Sequence, residues 1–349
     1  MAPYPTMAPA YAHAELDPAT QTARFYDGAG QVLEISDPRP VLVVTSLHDP
    51  TADVVIGELH DRGVPVVRLD SGDFPASLSV EAEITEHGLQ GSLRTPSRTA
   101  DLAHVRALYY RRPSGFAFPH LDEQDARFAI TQARYGLGGV LASLPGCLYV
   151  NHPHRIGDAE FKPSGLAAAA AAGFLVPPTL ITSSPDAARA FIKAHGSVIY
   201  KPLYNPVYRV DGVSSVVKVA EVSAADIDDD VAGTAHLFQQ RVVKTADVRV
   251  TVIGGYVFCV RIDSDLLDWR TDYSRLAYTP VEAPPGIRPA LHRYMNHFRL
   301  AFGAFDFAVG EDGRWWFLEC NPSGQWHWLE TETGLPMCAA LTTLLERKT

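Results

Sequence analysis

Val41-Leu42-Val43-Val44-Thr45 is the first unbroken β-branched and apolar run, the pattern of a parallel strand buried on both faces. A helical pattern over about Thr51–Arg62 follows, stopped by Gly63, and a second strand is predicted at Val64–Leu69. This βαβ opening predicts a small doubly wound α/β domain. Its other strands are expected at Ser79–Ile84, Leu89–Thr95 and Ala107–Arg111, and a helix from about Asp122 to Leu144 closes it. A second α/β region starts near Asn151, with helices over Gly157–Gly173 and Pro185–His195 and strands at Thr179–Thr182, Ser197–Pro202 and Ser215–Lys218. Strands then dominate: Leu237–Val242, Asp247–Ile253, Tyr256–Asp263, Phe305–Val309 and Trp315–Glu319, with Gly254-Gly255 as a tight hairpin turn. Helices are expected at about Arg288–Phe302 and from about Thr331. Ahead of residue 41 the pattern breaks down. Six of the 26 prolines fall there and forbid helix over most of the segment. What remains is a hairpin, Thr22–Tyr26 with Gln31–Ile35 around Asp27-Gly28-Ala29-Gly30, expected to dock on a larger body because two strands alone are marginal.

Composition narrows the choice of function. Of 349 residues, 46% are hydrophobic and 20% charged, ordinary values for a globular protein. The net charge of −10 argues against nucleic acid as a partner, which calls for a basic surface. A nucleotide needs only a few well-placed cations and is not excluded. No apolar run has the length of a membrane span, and no basic-then-apolar signal peptide opens the chain, so a cytoplasmic location is expected. The four cysteines, Cys147, Cys259, Cys320 and Cys338, are far apart and read as buried thiols. The 13 histidines show no HExxH spacing, and neither a Walker loop nor a GxSxG elbow occurs.

The sharpest chemical signal is Phe305-Asp306-Phe307-Ala308-Val309, followed after a Gly310-Glu311-Asp312-Gly313 turn by Trp316-Phe317-Leu318-Glu319-Cys320-Asn321. Glu319 and Asn321 are two apart and share a strand face, with Asp306 opposite them across the hairpin. Two carboxylates and an amide oxygen make the hard donor set that Mg2+ prefers, and the apolar neighbours speak against a merely solvated acidic hairpin. Lys201 ends the strand Val198-Ile199-Tyr200-Lys201, and Lys162 opens a helical region at Glu160-Phe161-Lys162-Pro163. Either lysine alone reads as solvated; beside the carboxylate hairpin, both read as phosphate contacts. The polar loop from Tyr204 to Ser215, with Gly212, is suited to fold over phosphates. Asp247 and Arg249 share a strand face, open between a charge-stabilising pair and a cross-strand ion pair. Arg261 on the next strand carries the same ambiguity. Asp268-Trp269-Arg270 is expected to wall a substrate channel.

The ordered set Lys162, Lys201, Phe238-Gln239-Gln240, Asp247-x-Arg249, Asp306 and Glu319-x-Asn321 resembles the ATP-grasp ligases. Tyr110-Arg111-Arg112-Pro113, Val150-Asn151-His152-Pro153 and Asp247-Val248-Arg249-Val250-Thr251-Val252 resemble, more closely, the graspetide macrocyclases, peptide ligases similar to the microviridin enzymes. The resemblance implies an α/β ATP-grasp fold: a leader-like arm (1–38), a pre-ATP-grasp domain (39–150), a central lobe (151–235) and a C-terminal lobe (236–349). It implies ATP and Mg2+ as cofactors. Gln239, Gln240, Arg241 and Val242 would form the adenine hinge, Lys162 and Lys201 the phosphate contacts, and Asp306, Glu319 and Asn321 the metal ligands. Arg249, Asp247 and Arg261 would be catalytic, with Arg111 and Arg112 holding a leader or a dimer. The implied reaction turns Asp or Glu side chains of a core peptide into acyl phosphates and joins them to Ser or Thr as esters. Lys acceptors giving amides, a ligase for free amino acids, and an idle leader-binding protein are the alternatives. A homodimer is also implied.

Pro3-Tyr4-Pro5-Thr6, Tyr11-Ala12 and Leu16-Asp17-Pro18-Ala19-Thr20-Gln21-Thr22-Ala23-Arg24-Phe25 resemble the leader of the precursor peptides such enzymes modify. The Thr/Ser and acidic core expected after a leader is absent. The arm is expected to be a leader joined to its own ligase and docked in cis, with an ordinary N-terminal arm as the alternative.

Overall fold

The computed structural model describes residues 13–17, 22–26, 32–33, 37–204, 208–210, 213–215, 217–264, 267, 269 and 276–347. The Asp27–Gly30 turn, Gly212, Asp268 and Arg270 lie outside them. Two units emerge: residues 1–154 with 325–330 and 336–349, and residues 155–324 with 331–335.

In the first unit β1 (His13–Asp17), β2 (Thr22–Tyr26) and β3 (Val32–Leu33) form an antiparallel sheet. The expected pairing of the two arm strands is present, Phe25 opposite Leu33 and Tyr26 opposite Val32, and β1 adds a strand the apolar pattern did not mark. The doubly wound opening follows as β4 (Val41–Val44), α1 (Pro50–Asp61) and β5 (Val66–Leu69). Asp49 starts α1 by accepting from the Ala52 N–H, and Pro50, which lacks an N–H, sits where none is needed. An antiparallel set, β6 (Ser79–Thr85), β7 (Gly88–Arg94) and β8 (Thr99–Asp101), precedes β9 (Ala107–Tyr110), α2 (Glu123–Leu141) and β10 (Leu148–Val150). The parallel sheet runs β10-β9-β4-β5, and β4 at its centre is wholly buried, as its sequence predicts. Arg111, expected with Arg112 to hold a leader or a dimer, is buried within the first unit. It is 3% exposed and its guanidinium bonds Asp49 at 3.0 Å and Gln325 at 2.8 Å, bracing the unit from inside.

The second unit opens with α3 (Pro153–Glu160) and α4 (Lys162–Ala172), two helices where the pattern predicts one, separated at Phe161. Then come β11 (Thr179–Thr182), α5 (Pro185–His195), β12 (Val198–Lys201), a short hairpin of β13 (Tyr208–Val210) and β14 (Val213–Ser215), β15 (Ala220–Val222) and β16 (His236–Gln240). Of the strand expected at Ser215–Lys218, only Ser215 lies in a strand, as the last residue of β14, and Val217 and Lys218 lie ahead of β15. A four-stranded sheet runs β11-β16-β12-β15. The remainder is β17 (Lys244–Ile253), β18 (Tyr256–Asp263), β19 (Ala277–Pro280), α6 (Ile287–Phe298), β20 (Phe302–Gly310) and β21 (Trp315–Asn321). These strands build the antiparallel sheet β19-β18-β17-β20-β21. One face carries Val248, Val250, Phe305, Phe307 and Phe317 against Phe174, Tyr294 and the alanines of α4. Helix α4 approaches Tyr294 closely at Gly165, where a Cβ would meet the Tyr294 hydroxyl at 3.2 Å. Helices α7 (His327–Thr333) and α8 (Met337–Leu345) end the chain. Residues 336–349 belong to the first unit, not to a C-terminal lobe. There Leu341 and Leu345 are fully buried and Thr342 bonds Glu58 at 3.1 Å. Among the described residues no helix is long and apolar enough to cross a membrane.

Candidate active site

The Gly310–Gly313 turn forms as the sequence predicts, Gly313 N–H donating to the Gly310 carbonyl at 2.9 Å. The strands it joins are not regular. Asp306 pairs with Glu319 but Phe307 pairs with Phe317, so Leu318 is an extra residue, a β-bulge. Strict alternation would put Phe317, Glu319 and Asn321 on one face. The bulge keeps Phe317 and Cys320 in the aromatic core and turns Glu319 and Asn321 to the face of Asp306. On that face the Asn321 amide lies 3.4 Å from Glu319 and 3.5 Å from Asp306. Among the described residues no three His, Cys, Asp or Glu side chains are grouped for a metal. The trio here is two carboxylates and one amide, hard oxygen donors within reach of one ion, and it fits Mg2+. An amide turned about its own axis offers Oδ1 in place of Nδ2.

Arg249 stands directly across the β17–β20 pair from Asp306, and its Nη1 lies 2.8 Å from both carboxylate oxygens. The cross-strand ion pair left open by the sequence is present, and it is buried, with 4% of Arg249 and 3% of Asp306 exposed. Asp247, two residues back on the same face, takes Lys244 at 2.6 Å. A register shift between Lys244 and Ala246 brings that lysine round, and it also reaches the Leu267 carbonyl. Arg261 is not brought here. It lies opposite Val248, on the other face of the sheet from Arg249, and bonds Asp263 at 2.8 Å.

Glu319 and Asn321 line a cavity together with Lys162, Lys201, Gln239 and Tyr294. Register explains the lining. Lys201 lies opposite Leu237 and Ile199 opposite Gln239, so these four share a face of the β12–β16 pair. Phe238 and Val198 turn the other way, to the core under α5. Gln240, paired with Val198, has its side chain on that other face, although its N–H bonds the Pro178 carbonyl. Arg241 pairs with Glu221, and neither it nor Val242 is among the lining residues. Lys162 reaches the Leu203 carbonyl at 3.3 Å. Burial pushes the Tyr294 hydroxyl and the Cys320 thiol well above their usual values, and partial desolvation raises Glu160 at the solvent-open edge.

Sequence reading missed three residues of this region. Thr179 bonds Gln239 across strands, and Tyr294 closes one wall from α6. Gly324 passes so close over Arg249 that a Cβ would lie 2.7 Å from Nη2. Only the Asn321-Pro322-Ser323-Gly324 stretch, directly after a ligand candidate, held any signal for the last.

The arrangement defines a class. The fold is that of the ATP-grasp ligases with a pre-ATP-grasp domain ahead of it. Residues 40–157 match the family described as the MvdD pre-ATP grasp domain, and residues 6–37 that described as ribosomally synthesised peptide in actinomycetes. No curated protein matches the chain. Within the class, the chain resembles RiPP-associated peptide ligases. The macrocyclase MdnC of Microcystis aeruginosa MRC, bound with precursor peptide MdnA, is 26% identical with a TM-score of 0.79 over 88% of this chain and 99% of its own. Macrocyclase MdnB of the same organism is also 26% identical, with a TM-score of 0.76 over 89% and 100%. A Chryseobacterium gregarium RiPP-associated ATP-grasp ligase, in complex with ADP and a leader and core peptide, has a TM-score of 0.81 at 24% identity over 88% and 96%. The N-terminal segment resembles a precursor leader.

Proposed function

We propose that this chain is an ATP-dependent peptide macrocyclase that joins Asp or Glu side chains of a core peptide to Ser or Thr hydroxyls as esters. The observation that carries the reading is the Asp306, Glu319 and Asn321 trio beside a cavity lined by two lysines. Lys162 and Lys201 hold the phosphates of ATP, while Leu237, Gln239 and the backbone running on through Gln240, Arg241 and Val242 hold its base. Asp306, Glu319 and Asn321 would hold Mg2+, which when bound neutralises charge on the phosphate oxygens. A substrate carboxylate attacks the γ-phosphorus, the bond to the β,γ-bridging oxygen breaks with ADP leaving, and the carboxylate becomes an acyl phosphate, a step that rests on alignment and charge neutralisation. Arg249 offsets charge on the phosphoryl group in transit and keeps Asp306 oriented. Asp247, steadied by Lys244, contacts the peptide. A Ser or Thr hydroxyl then attacks the acyl carbon, phosphate leaves, and the ring closes. The leader-like arm acts in cis, so the substrate is a leaderless core peptide.

Mass spectrometry of core peptides after incubation with ATP and Mg2+ tests this, since each ring removes one water. Mild alkali opens esters and spares amides, which identifies the bond. Glu319→Gln is expected to abolish ring formation with an unchanged circular dichroism spectrum and unfolding midpoint. Normal ring formation in that variant would remove Glu319 from the site.

A further inference from the structure

Thr179 and Gln239 face each other across the β11–β16 pair. The Thr179 hydroxyl donates to the Pro177 carbonyl at 2.8 Å. A hydroxyl has one hydrogen, so toward Gln239 it can only accept. The Gln239 amide must therefore present Nε2, and does so at 2.8 Å. That contact decides which way round the amide sits, and it leaves Oε1 as an acceptor. Gln239 is 1% exposed and lines the cavity, and its Oε1 has no hydrogen-bond partner among the described residues. A buried acceptor in that state is desolvated without compensation, so a ligand that brings a donor is favoured and one that brings a second acceptor is rejected.

We propose that Thr179 is a positioning residue that locks Gln239 as an acceptor and so selects a 6-amino purine over a 6-oxo purine. Adenine offers an amino N–H at that position, where hypoxanthine offers a carbonyl oxygen. The inference rests on the cavity being the nucleotide site proposed above. Removing the lock, with the Gln239 side chain intact, lets the amide turn and present Nε2 to a 6-oxo base.

Calorimetric titration of the full chain with ADP and IDP, which differ in that group, tests the inference without turnover. The wild type is expected to prefer ADP by roughly 10- to 100-fold, the range set by one mispaired buried hydrogen bond. Gln239→Leu should weaken ADP and bring the ratio close to one. Thr179→Val should strengthen IDP several-fold, a gain that a misfolded variant cannot give, and Thr179→Ser, which keeps the hydroxyl, should restore the wild-type ratio. In turnover, KM for ATP should rise in Gln239→Leu while kcat stays within about twofold, the split expected for loss of uniform binding. An unchanged ADP-to-IDP ratio in Gln239→Leu, or the same ratio in Thr179→Val as in the wild type, overturns the inference and leaves the nucleotide site standing. Binding of neither diphosphate by the wild type overturns the nucleotide site, and the inference with it.

Discussion

Asp306 and Arg249 are each almost excluded from water, and each is tolerable there because of the other. Removing one partner of such a pair strands a charge in a poorly solvating environment, whereas replacing both with apolar groups of similar size is often close to neutral. Arg249→Met and Asp306→Leu are therefore expected to lose about 3–5 kcal/mol each in denaturant unfolding, and the double variant to recover most of it. All three should be inactive in ring formation. Single variants as stable as the wild type would show that the pair is not closed in solution. A second residue-scale prediction concerns Asp37. The Arg39 side-chain hydrogen bond, opposed by burial and assisted by the Arg39 N–H and the charge of Arg106, holds this carboxyl at about 2 instead of 3.8. A carboxyl lowered on folding adds stability that is complete above its unfolded value and is lost as pH falls through the folded one. Asp37→Asn should be less stable than the wild type at pH 6, with the difference shrinking from about pH 4 and gone only near about pH 1, below the folded value. Urea midpoints that differ equally at both ends would sink this.

Elements carry the next level of information, and there the sequence was uneven. Long apolar runs were legible: β4, β17, β18 and β20 lie where alternation or continuous burial puts them, because each strand meets a core on at least one face. Three-residue strands such as β8, β10, β13 and β15 were not, since a pattern needs several periods before it stands out from composition. The split between α3 and α4 was legible in Pro163, which sits in the first turn of α4 and does not fit the interior of one continuous helix. Most consequential is the bulge at Leu318. Glu319 and Asn321 were rightly placed together, but a plain strand would have put Phe317 with them. Only pairing with β20 shows which face is core. Directly after this strand, Gly324 sits where a side chain has no room: an added Cβ would lie 2.7 Å from both Ala304 Cβ and Arg249 Nη2. Gly324→Ala should displace the guanidinium and lower kcat/KM on the order of 100-fold, the scale of a misplacement of about 1 Å at a reacting centre. Its unfolding midpoint should fall far less than that of Arg249→Met, and an unchanged kcat/KM would release the glycine from any part in positioning.

At the scale of the whole molecule, two sequence matches stand side by side, one to a ribosomally synthesised peptide ending at residue 37 and one to a pre-ATP-grasp domain beginning at residue 40. If the arm serves its own ligase, short tethering supplies it at an effective concentration in the millimolar range, above what a free leader would reach. A chain lacking residues 1–36 is expected to lose turnover on leaderless core peptide and regain it when free arm peptide is added. The intact chain should gain little from the same addition. Many-fold stimulation of the intact chain would mean that the arm does not act in cis.

The chain's residue types and their spacing were enough to determine the kinds of element, the α/β class, the hairpin with its two carboxylates and amide, and the presence of lysines at element ends. These are local properties, written within one or two turns or strands. The tertiary structure alone decided that Arg249 holds Asp306, 57 residues away, that Arg261 faces elsewhere, and that Thr179 orients Gln239. It also decided that residues 336–349 join the first unit. Each of these depends on which strand lies beside which and in what register, and register is set by burying faces against one another, a property of the folded chain that no single segment carries.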